Sequence, residues 1–171
     1  MSNYRRYYLP GGTYFFTLVT HERRPMFRQD PARSCLRKAI LDEQQRRPFE
    51  MFAMVLLPDH FHCIWTLPSG DADYSLRWAK IKEEFTRSFL DAGGREGRMS
   101  DSRHKHRERA VWPRRFWEHT VRDENELKRC VDYSHWNPVK HELVPRVRDW
   151  AWSSLRGGGG VPIGLGSPEP L

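Results

Sequence analysis

Hydrophobic residues recur along the chain at two spacings, and the tighter alternation predicts four strands. Residues 14–20 (YFFTLVT) are aromatic and β-branched, as strand residues commonly are. Residues 49–57 and 60–67 are two further apolar runs separated only by a Pro-Asp pair, which predicts a hairpin. A short fourth strand is predicted over residues 111–117.

The wider spacing, of three to four residues, predicts three helices. The first covers residues 31–47, where an Asp-Pro pair precedes a run with Leu36 and Ile40 on one face. The second begins at residue 75 and ends near residue 90. The third extends from residue 123 to about residue 136, because Pro138 should end or kink it.

The predicted order is strand, helix, hairpin, helix, strand, helix. This order is typical of one mainly antiparallel sheet flanked by helices, so the predicted fold class is α+β in the ferredoxin-like style. Residues 91–110 are rich in Gly, Arg and His without apolar periodicity, which predicts an exposed, mobile loop. The domain is expected to comprise residues 1–156, followed by a flexible Gly- and Pro-rich tail at residues 157–171.

The net charge of the chain indicates which kind of binding partner to expect. The 171 residues carry 29 Lys and Arg against 22 Asp and Glu, a formal net charge of +7, and 13% of them are aromatic. Such a basic, aromatic-rich domain suits a polyanion such as nucleic acid, although a solvated basic surface would give the same count. The three cysteines are far apart and have the spacing of neither a disulfide framework nor a zinc site.

Hydropathy argues against membrane and secreted classes of protein. The mean hydropathy is −0.80, and no apolar run approaches the length of a membrane span. The first residues lack the apolar segment of a secretory signal. We therefore expect a cytoplasmic protein with no membrane partner.

The sharpest local feature is the triplet His60-Phe61-His62 in the predicted third strand. Side chains alternate along a strand, so the two histidines should share a face, with Cα atoms roughly 6.5 Å apart. Two imidazoles in this arrangement can bind one divalent ion, or they can be ordinary surface histidines. A cupin-like site would need a glutamate where Thr66 and Leu67 stand, and the second copy of the motif that two-histidine phosphoesterases require is absent.

A second feature lies in the last predicted helix, in the stretch YSHWNPVK. Tyr133 and Asn137 are four residues apart, so a helix would present the phenol and the amide on one face. The structural alternative is that Asn137 ends the helix before Pro138 and that Tyr133 packs in the core or at its rim.

Taken together, these motifs resemble one family. The segments PDHFHCIW and YSHWNPVKHELV, with YYLPGGTYFFTLVTHERRPMF and RRFWEHTVRDENELKRCVDY, are similar to the single-tyrosine HUH transposases, and within them to the REP-associated tyrosine transposases of bacteria. The resemblance extends from about Tyr4 to Leu155, with the motifs in the family's order and spacing. It implies the ferredoxin-like HUH fold. One departure is Glu142, which stands where the family often has glycine after the NPVK turn.

The resemblance implies a metal-dependent endonuclease and strand transferase for single-stranded DNA. Its members nick DNA beside hairpins formed by palindromic repeats, through a covalent 5′-phosphotyrosine. Tyr133 would be the nucleophile, and His60, His62 and Asn137 would bind Mg²⁺ or Mn²⁺. Because these ligands are neutral, the ion would keep its full Lewis acidity toward the phosphodiester.

Two matters stay open at this level. The phenol proton could pass to Glu118, to His119 or to a water on the metal ion. A monomer and a homodimer are both compatible with the resemblance, since related transposases form swapped dimers whereas the REP-associated branch tends to be monomeric.

Basic residues are candidates for DNA contacts. Arg5 and Arg6 are interleaved with tyrosines near the N-terminus, a mixture suited to reading guanine edges and stacking on unpaired bases. Each of these cations could instead be a solvated surface charge. Further cations expected to touch phosphates are Lys80, Lys82, Arg87, Arg114 and Arg115, and Arg23 and Arg24 could join them.

Three other functions are compatible with parts of the sequence. A non-catalytic hairpin-binding protein with this fold would bind DNA tightly but form no covalent adduct. A replication-initiation or conjugative nickase shares the chemistry but usually carries larger additional domains. A small-molecule metalloenzyme using His60 and His62 would act without nucleic acid, which the net charge and the missing acidic ligand argue against.

Truncation after Arg156, which removes residues 157–171, should leave folding and DNA cleavage unchanged. The reason is that the composition of the tail gives it no apolar face to bury. Thermal unfolding followed by circular dichroism, together with a cleavage assay, would test this. Loss of the cooperative melting transition would show that the tail is part of the fold.

Overall fold

A computed structural model describes residues 7–156, so Arg5, Arg6 and the segment 157–171 lie outside the described residues. This part of the chain contains four strands and four α-helices. In order, they are β1 (Thr13–Val19), α1 (Asp30–Arg46), β2 (Glu50–Leu56), β3 (His60–Thr66), α2 (Tyr74–Asp91), α3 (Asp101–Lys105), β4 (Trp117–Val121) and α4 (Glu124–Lys140). Short 3-10 turns lie at His21–Arg23, Met26–Arg28, Val147–Asp149 and Ser154–Arg156.

The strands form a single antiparallel sheet in the order β2-β3-β1-β4. Strand β3 therefore lies between β2 and β1, and its register pairs His62 with Thr17 and His60 with Val19. This architecture confirms the predicted α+β class with a mainly antiparallel sheet. None of the helices in the described part of the chain combines the length and the apolar character that crossing a membrane requires.

Each face of the sheet packs against different helices, because successive side chains of a strand point to opposite faces. Phe16 on one face belongs to the large core that α1 and α2 cover, where Trp65 and Trp78 stack with ring centroids 4.1 Å apart. Phe15 and Ile64 on the other face pack against α4. Burial on both faces explains why the strands read as nearly continuous apolar runs.

The strand predicted at residues 111–117 is wrong, since β4 covers Trp117–Val121. Val111 and Trp112 are apolar because they are buried in the core, not because they belong to a strand. Pro113 follows them and lacks the N–H group that a ladder would need. Pairing with β1 begins only at Trp117, which lies opposite Thr17.

The prediction of an exposed loop over residues 91–110 is wrong in part. The segment contains α3, and Arg103 at its centre is buried. The Arg103 guanidinium donates hydrogen bonds to the carbonyl oxygens of Arg109, at 2.8 Å, and Trp112, at 3.0 Å. This packing could not be predicted from the spacing of hydrophobic residues, because the buried side chain is an arginine that bonds to backbone oxygens.

The predicted end of the last helix near residue 136 is also wrong, because α4 continues through Pro138 to Lys140. The helix closes with the two hydrogen bonds of a Schellman motif, from the Glu142 N–H to the Val139 oxygen and from the Leu143 N–H to the Pro138 oxygen, both 2.9 Å. Glu142 has a φ of 56°, in the left-handed region that favours glycine. The turn therefore has the glycine geometry although a glutamate occupies it.

The substitution Glu142→Gly should raise the free energy of unfolding by about 1 kcal/mol, because it removes the steric cost of a Cβ atom in the left-handed region. Urea unfolding monitored by tryptophan fluorescence measures this change. Glu142→Ala is the matched control: it removes the charge, retains the Cβ atom and should give no such gain. Equal stabilisation by both variants would assign the effect to charge.

Candidate active site

A cleft of about 590 Å³ lies between α4 and the face of the sheet that carries the two histidines. It brings together the four residues that were predicted to act as nucleophile or metal ligands: His60 and His62 from β3, and Tyr133 and Asn137 from α4. The rest of the wall is formed by Phe15, Thr17, Arg23, Trp117, His119, Glu126, Arg129, Cys130, Lys140 and His141.

The two histidines are side by side and held in defined orientations. Their ring centroids are 5.2 Å apart, at an interplanar angle of 84°. The Nδ1 atom of His60 is 2.6 Å from the Asp59 carboxylate, and Nδ1 of His62 is 2.8 Å from the Thr17 hydroxyl. Because each Nδ1 atom is hydrogen-bonded, Nε2 is the ring nitrogen of each imidazole that can offer a lone pair to a metal ion.

Both imidazoles are neutral at pH 7. Burial and then the neighbouring His60 together lower the pKa of His62 to about 3, against the opposing effect of the Asn137 amide. Burial also lowers the pKa of His60, against the opposing effect of the Asp59 carboxylate. A neutral imidazole offers a lone pair, which is the form that a metal ion requires.

Tyr133 and Asn137 lie one helical turn apart on the face of α4 that lines the cleft. The Tyr133 ring is 47% exposed, and its centroid is 5.4 Å from the His62 ring and 6.0 Å from the Phe15 ring. The Asn137 side chain donates from Nδ2 to the Tyr133 carbonyl oxygen at 2.8 Å. Its Oδ1 atom takes no part in that bond.

These residues fit a small divalent cation. The Nε2 atom of His62 is buried and has no hydrogen-bond partner among residues 7–156, an arrangement that costs free energy unless a ligand binds there. Within the same range, no group of three His, Cys, Asp or Glu side chains is arranged for a metal ion. Asn137 Oδ1 is a third donor of a different type, which would complete a set of two nitrogens and one oxygen.

Cationic side chains line the cleft that holds the phenol. The Lys140 ammonium lies 5.5 Å from the centroid of the Tyr133 ring, and Arg129 lines the same wall. Arg23, a possible phosphate contact from the sequence, reaches the cleft and is 3.3 Å from the Asp59 carboxylate. This positive field suits a phosphodiester.

Several cleft residues carried no role in the sequence-based prediction. Arg129, Lys140 and His141 lie at positions −4, +7 and +8 from Tyr133, which places them on the same helix face. The His141 ring centroid is 5.3 Å from that of His60. The helical spacing could have identified Arg129 directly, whereas Lys140 and His141 required a helix that continues past Pro138.

The two protein groups considered for the phenol proton face opposite sides of the sheet. His119 lines the cleft, where its Nε2 atom is 2.7 Å from the Glu126 carboxylate. Glu118 is buried on the other side, where it accepts a hydrogen bond from the Tyr74 hydroxyl at 3.4 Å. Of the two, only His119 is on the side of Tyr133.

Most of the predicted DNA-binding residues lie away from this cleft. Lys82, Arg87 and Arg114 line a second cleft of about 810 Å³ between α2 and the segment that follows α3. Helix α2 covers the opposite face of the sheet from α4, so the fold does not bring these residues to Tyr133. Lys80 is exposed on α2 and is paired with Glu83. Arg115 is also exposed and follows Arg114 in the chain, but it does not line the second cleft. Arg5 and Arg6 lie outside the described residues.

Comparison with known proteins identifies the family. The chain is 43% identical over 155 residues to the REP-associated tyrosine transposase of Escherichia coli K12, an alignment that covers 91% of this chain and 83% of that relative. The chain belongs to the REP-associated tyrosine transposases. A relative named for the same family in Haemophilus influenzae is 42% identical and is covered over 86% of its length, together with 91% of this chain. No family model matches the chain.

A solved structure of the same family supports this identification. The structure of a REP-associated tyrosine transposase bound to a REP hairpin superposes with a TM-score of 0.72 at 38% identity, and the match covers all of this chain and 94% of that one. The chain is therefore an enzyme of the tyrosine transposase class, with the fold expected for it.

For this transposase, His62→Ala should weaken Mn²⁺ binding by at least about 10- to 100-fold, because it removes a buried nitrogen donor. Electron paramagnetic resonance of free Mn²⁺ during a protein titration measures the affinity without any DNA. His119→Ala is the control, since it removes another imidazole from the same cleft without touching the proposed ligand set. Unchanged Mn²⁺ affinity in His62→Ala would remove His62 from the metal site.

Proposed function

We propose that this transposase is a metal-dependent single-stranded DNA endonuclease and strand transferase. It nicks DNA next to palindromic repeat hairpins through a covalent 5′-phosphotyrosine on Tyr133. The observation that carries the proposal is the contact between the phenol ring and the His62 imidazole, whose Nε2 atom is buried and unbonded among the described residues. The hairpin substrate is supported by the REP hairpin bound to the structurally similar transposase.

The proposed reaction is an exchange of phosphoesters. Tyr133 Oη attacks the scissile phosphorus and forms a bond to the 5′ side of the strand. The bond from phosphorus to the 3′ oxygen breaks, and that oxygen leaves as a 3′-hydroxyl carrying the proton that the phenol loses. Because the phosphotyrosine conserves the ester bond, a second 3′-hydroxyl can reverse the step, and strand transfer needs no nucleotide cofactor.

The residues around the phenol have separate tasks in this reaction. His60, His62 and Asn137 would hold Mg²⁺ or Mn²⁺, which when bound supplies Lewis-acid polarisation of the phosphate. Asp59 and Thr17 fix the two imidazoles through Nδ1 so that Nε2 is presented to the cleft. The cations that line the wall attract and hold the scissile phosphate, and these are Arg23, Arg129 and Lys140.

All of these groups come from one chain. Tyr133 lies next to His62 of its own chain, so one protomer contains the nucleophile and the proposed ligands together. This arrangement supports cleavage by a monomer, whereas a homodimer would have to retain the same contact. The cytoplasm is the proposed location, since the proposed substrate is DNA.

Phosphate contacts outside the cleft are proposed for the basic residues on the α2 side. Three of them are paired with carboxylates: Lys80 with Glu83, Arg87 with Glu84, and Arg114 with Glu108. Exposed pairs of this kind are weak, so a phosphate can displace the carboxylate at little cost. The residues concerned are Lys80, Lys82, Arg87, Arg114 and Arg115, together with Arg5 and Arg6 near the N-terminus.

The proposal predicts that Tyr133→Phe abolishes the covalent adduct and leaves hairpin affinity within a few-fold, because the substitution removes one oxygen and retains the ring. End-labelled hairpin oligonucleotides with unpaired flanks, incubated with Mn²⁺ and run on a denaturing gel, would show the adduct as a slowly migrating band. Labelling the 5′ and 3′ ends separately identifies which end becomes covalent.

The control is Tyr7→Phe, which removes a phenol hydroxyl from another exposed tyrosine outside the cleft. It should retain the adduct. An adduct in Tyr133→Phe would reject Tyr133 as the nucleophile. A native-gel shift without an adduct in any divalent metal would instead support hairpin binding without catalysis.

A further inference from the structure

An exposed indole forms part of the cleft wall beside the nucleophile. Trp117 is 50% exposed, although it stands in a strand and its carbon surface would be more stable if buried. It is the first residue of β4, at the edge of the sheet, where pairing with Thr17 fixes its backbone. The reaction proposed above assigns no role to this side chain.

Trp117 packs beside two other rings of the cleft wall. The His119 imidazole is nearly parallel to it, at an angle of 9° with centroids 5.9 Å apart. His119 is itself fixed by the Glu126 carboxylate at 2.7 Å. Phe15 meets the indole edge-on at 5.6 Å and also meets the Tyr133 ring edge-on at 6.0 Å. Trp117 is therefore separated from the nucleophile by a single aromatic ring.

We infer that Trp117 is a stacking platform for an unpaired nucleobase next to the scissile phosphate. This inference rests on the proposed function and names the part of the substrate that the cleft wall would bind. A rigid, half-exposed indole beside the cations of the same wall has the two elements of single-strand recognition, an aromatic face for the base and positive charge for the backbone. A base pair inside the duplex has both faces covered by its neighbours, whereas an unpaired base beside the hairpin can turn a free face to the indole.

The test uses hairpin oligonucleotides in which 2-aminopurine replaces each unpaired base in turn. The Tyr133→Phe background keeps the DNA uncleaved. Stacking on the indole should quench the fluorescence of 2-aminopurine at one flanking position. Trp117→Ala should abolish that quenching and weaken binding by between about 5- and 100-fold, as expected for the loss of one stacked base. Trp117→Tyr should retain part of both effects.

An abasic site at the same position gives the matched comparison. If the base stacks on Trp117, its removal should make Trp117→Ala and the parent protein bind with equal affinity. Trp136→Ala is the control for removal of an exposed tryptophan, since Trp136 is 57% exposed on α4 and does not line this cleft. It should leave the quenching pattern unchanged.

The outcomes distinguish failure of the Trp117 stacking platform from failure of the proposed function. Quenching that persists in Trp117→Ala, or an affinity loss that is the same on intact and abasic DNA, would overturn the platform. Absence of a covalent adduct from the wild-type chain in Mn²⁺ would overturn the proposed function, while position-specific quenching would still support the platform.

Discussion

The site depends on how α4 packs against the sheet. Leu127, Cys130 and Val131 at the start of this helix cover Phe15 and Ile64. This apolar contact fixes the position and rotation of the helix. Tyr133 and Asn137, which follow on the same helix, are thereby placed in the cleft with the two histidines. Tyr133 therefore reaches the His62 ring because of a packing contact made by other residues. A change in the apolar contact would move the phenol without altering any group that takes part in chemistry.

The polar groups at the site are costly to bury. The His62 imidazole is 3% exposed, and its Nε2 atom has no partner among the described residues, so folding loses the hydrogen bond that water would supply there. Hydrogen bonds at Nδ1 of both histidines recover part of that cost and fix the rings. A ligand that binds at Nε2 would remove the remaining unfavourable term, which couples ligand binding to stability.

Much of this organisation could be predicted from the sequence. The alternation of His60, Phe61 and His62 predicts that the histidines share a face, and the four-residue spacing of Tyr133 and Asn137 predicts the same for the helix. What could not be predicted depends on contacts between distant residues. Arg103 packs through hydrogen bonds to backbone oxygens, and Val111 and Trp112 are core residues without a regular element. The last turn of α4 was not predicted, because Pro138 removes only the hydrogen bond that its own N–H would donate to the Ser134 oxygen. The helix continues beyond it, with the His141 N–H bonded to the Asn137 oxygen at 2.9 Å and a Schellman motif at the end.

The segment between α2 and β4 has a consequence for how this fold can diversify. Arg103 closes it with hydrogen bonds to the segment's own carbonyl oxygens, and none of residues 91–116 lines the cleft that holds Tyr133. The entropy cost of closing a loop grows only slowly with its length. Insertions and deletions at the exposed positions of this segment, away from the buried Arg103, Val111 and Trp112, are therefore cheap in stability and leave the positions of the reacting groups unchanged. Length variation can reshape the surface over α2 while the arrangement around the phenol is inherited unchanged.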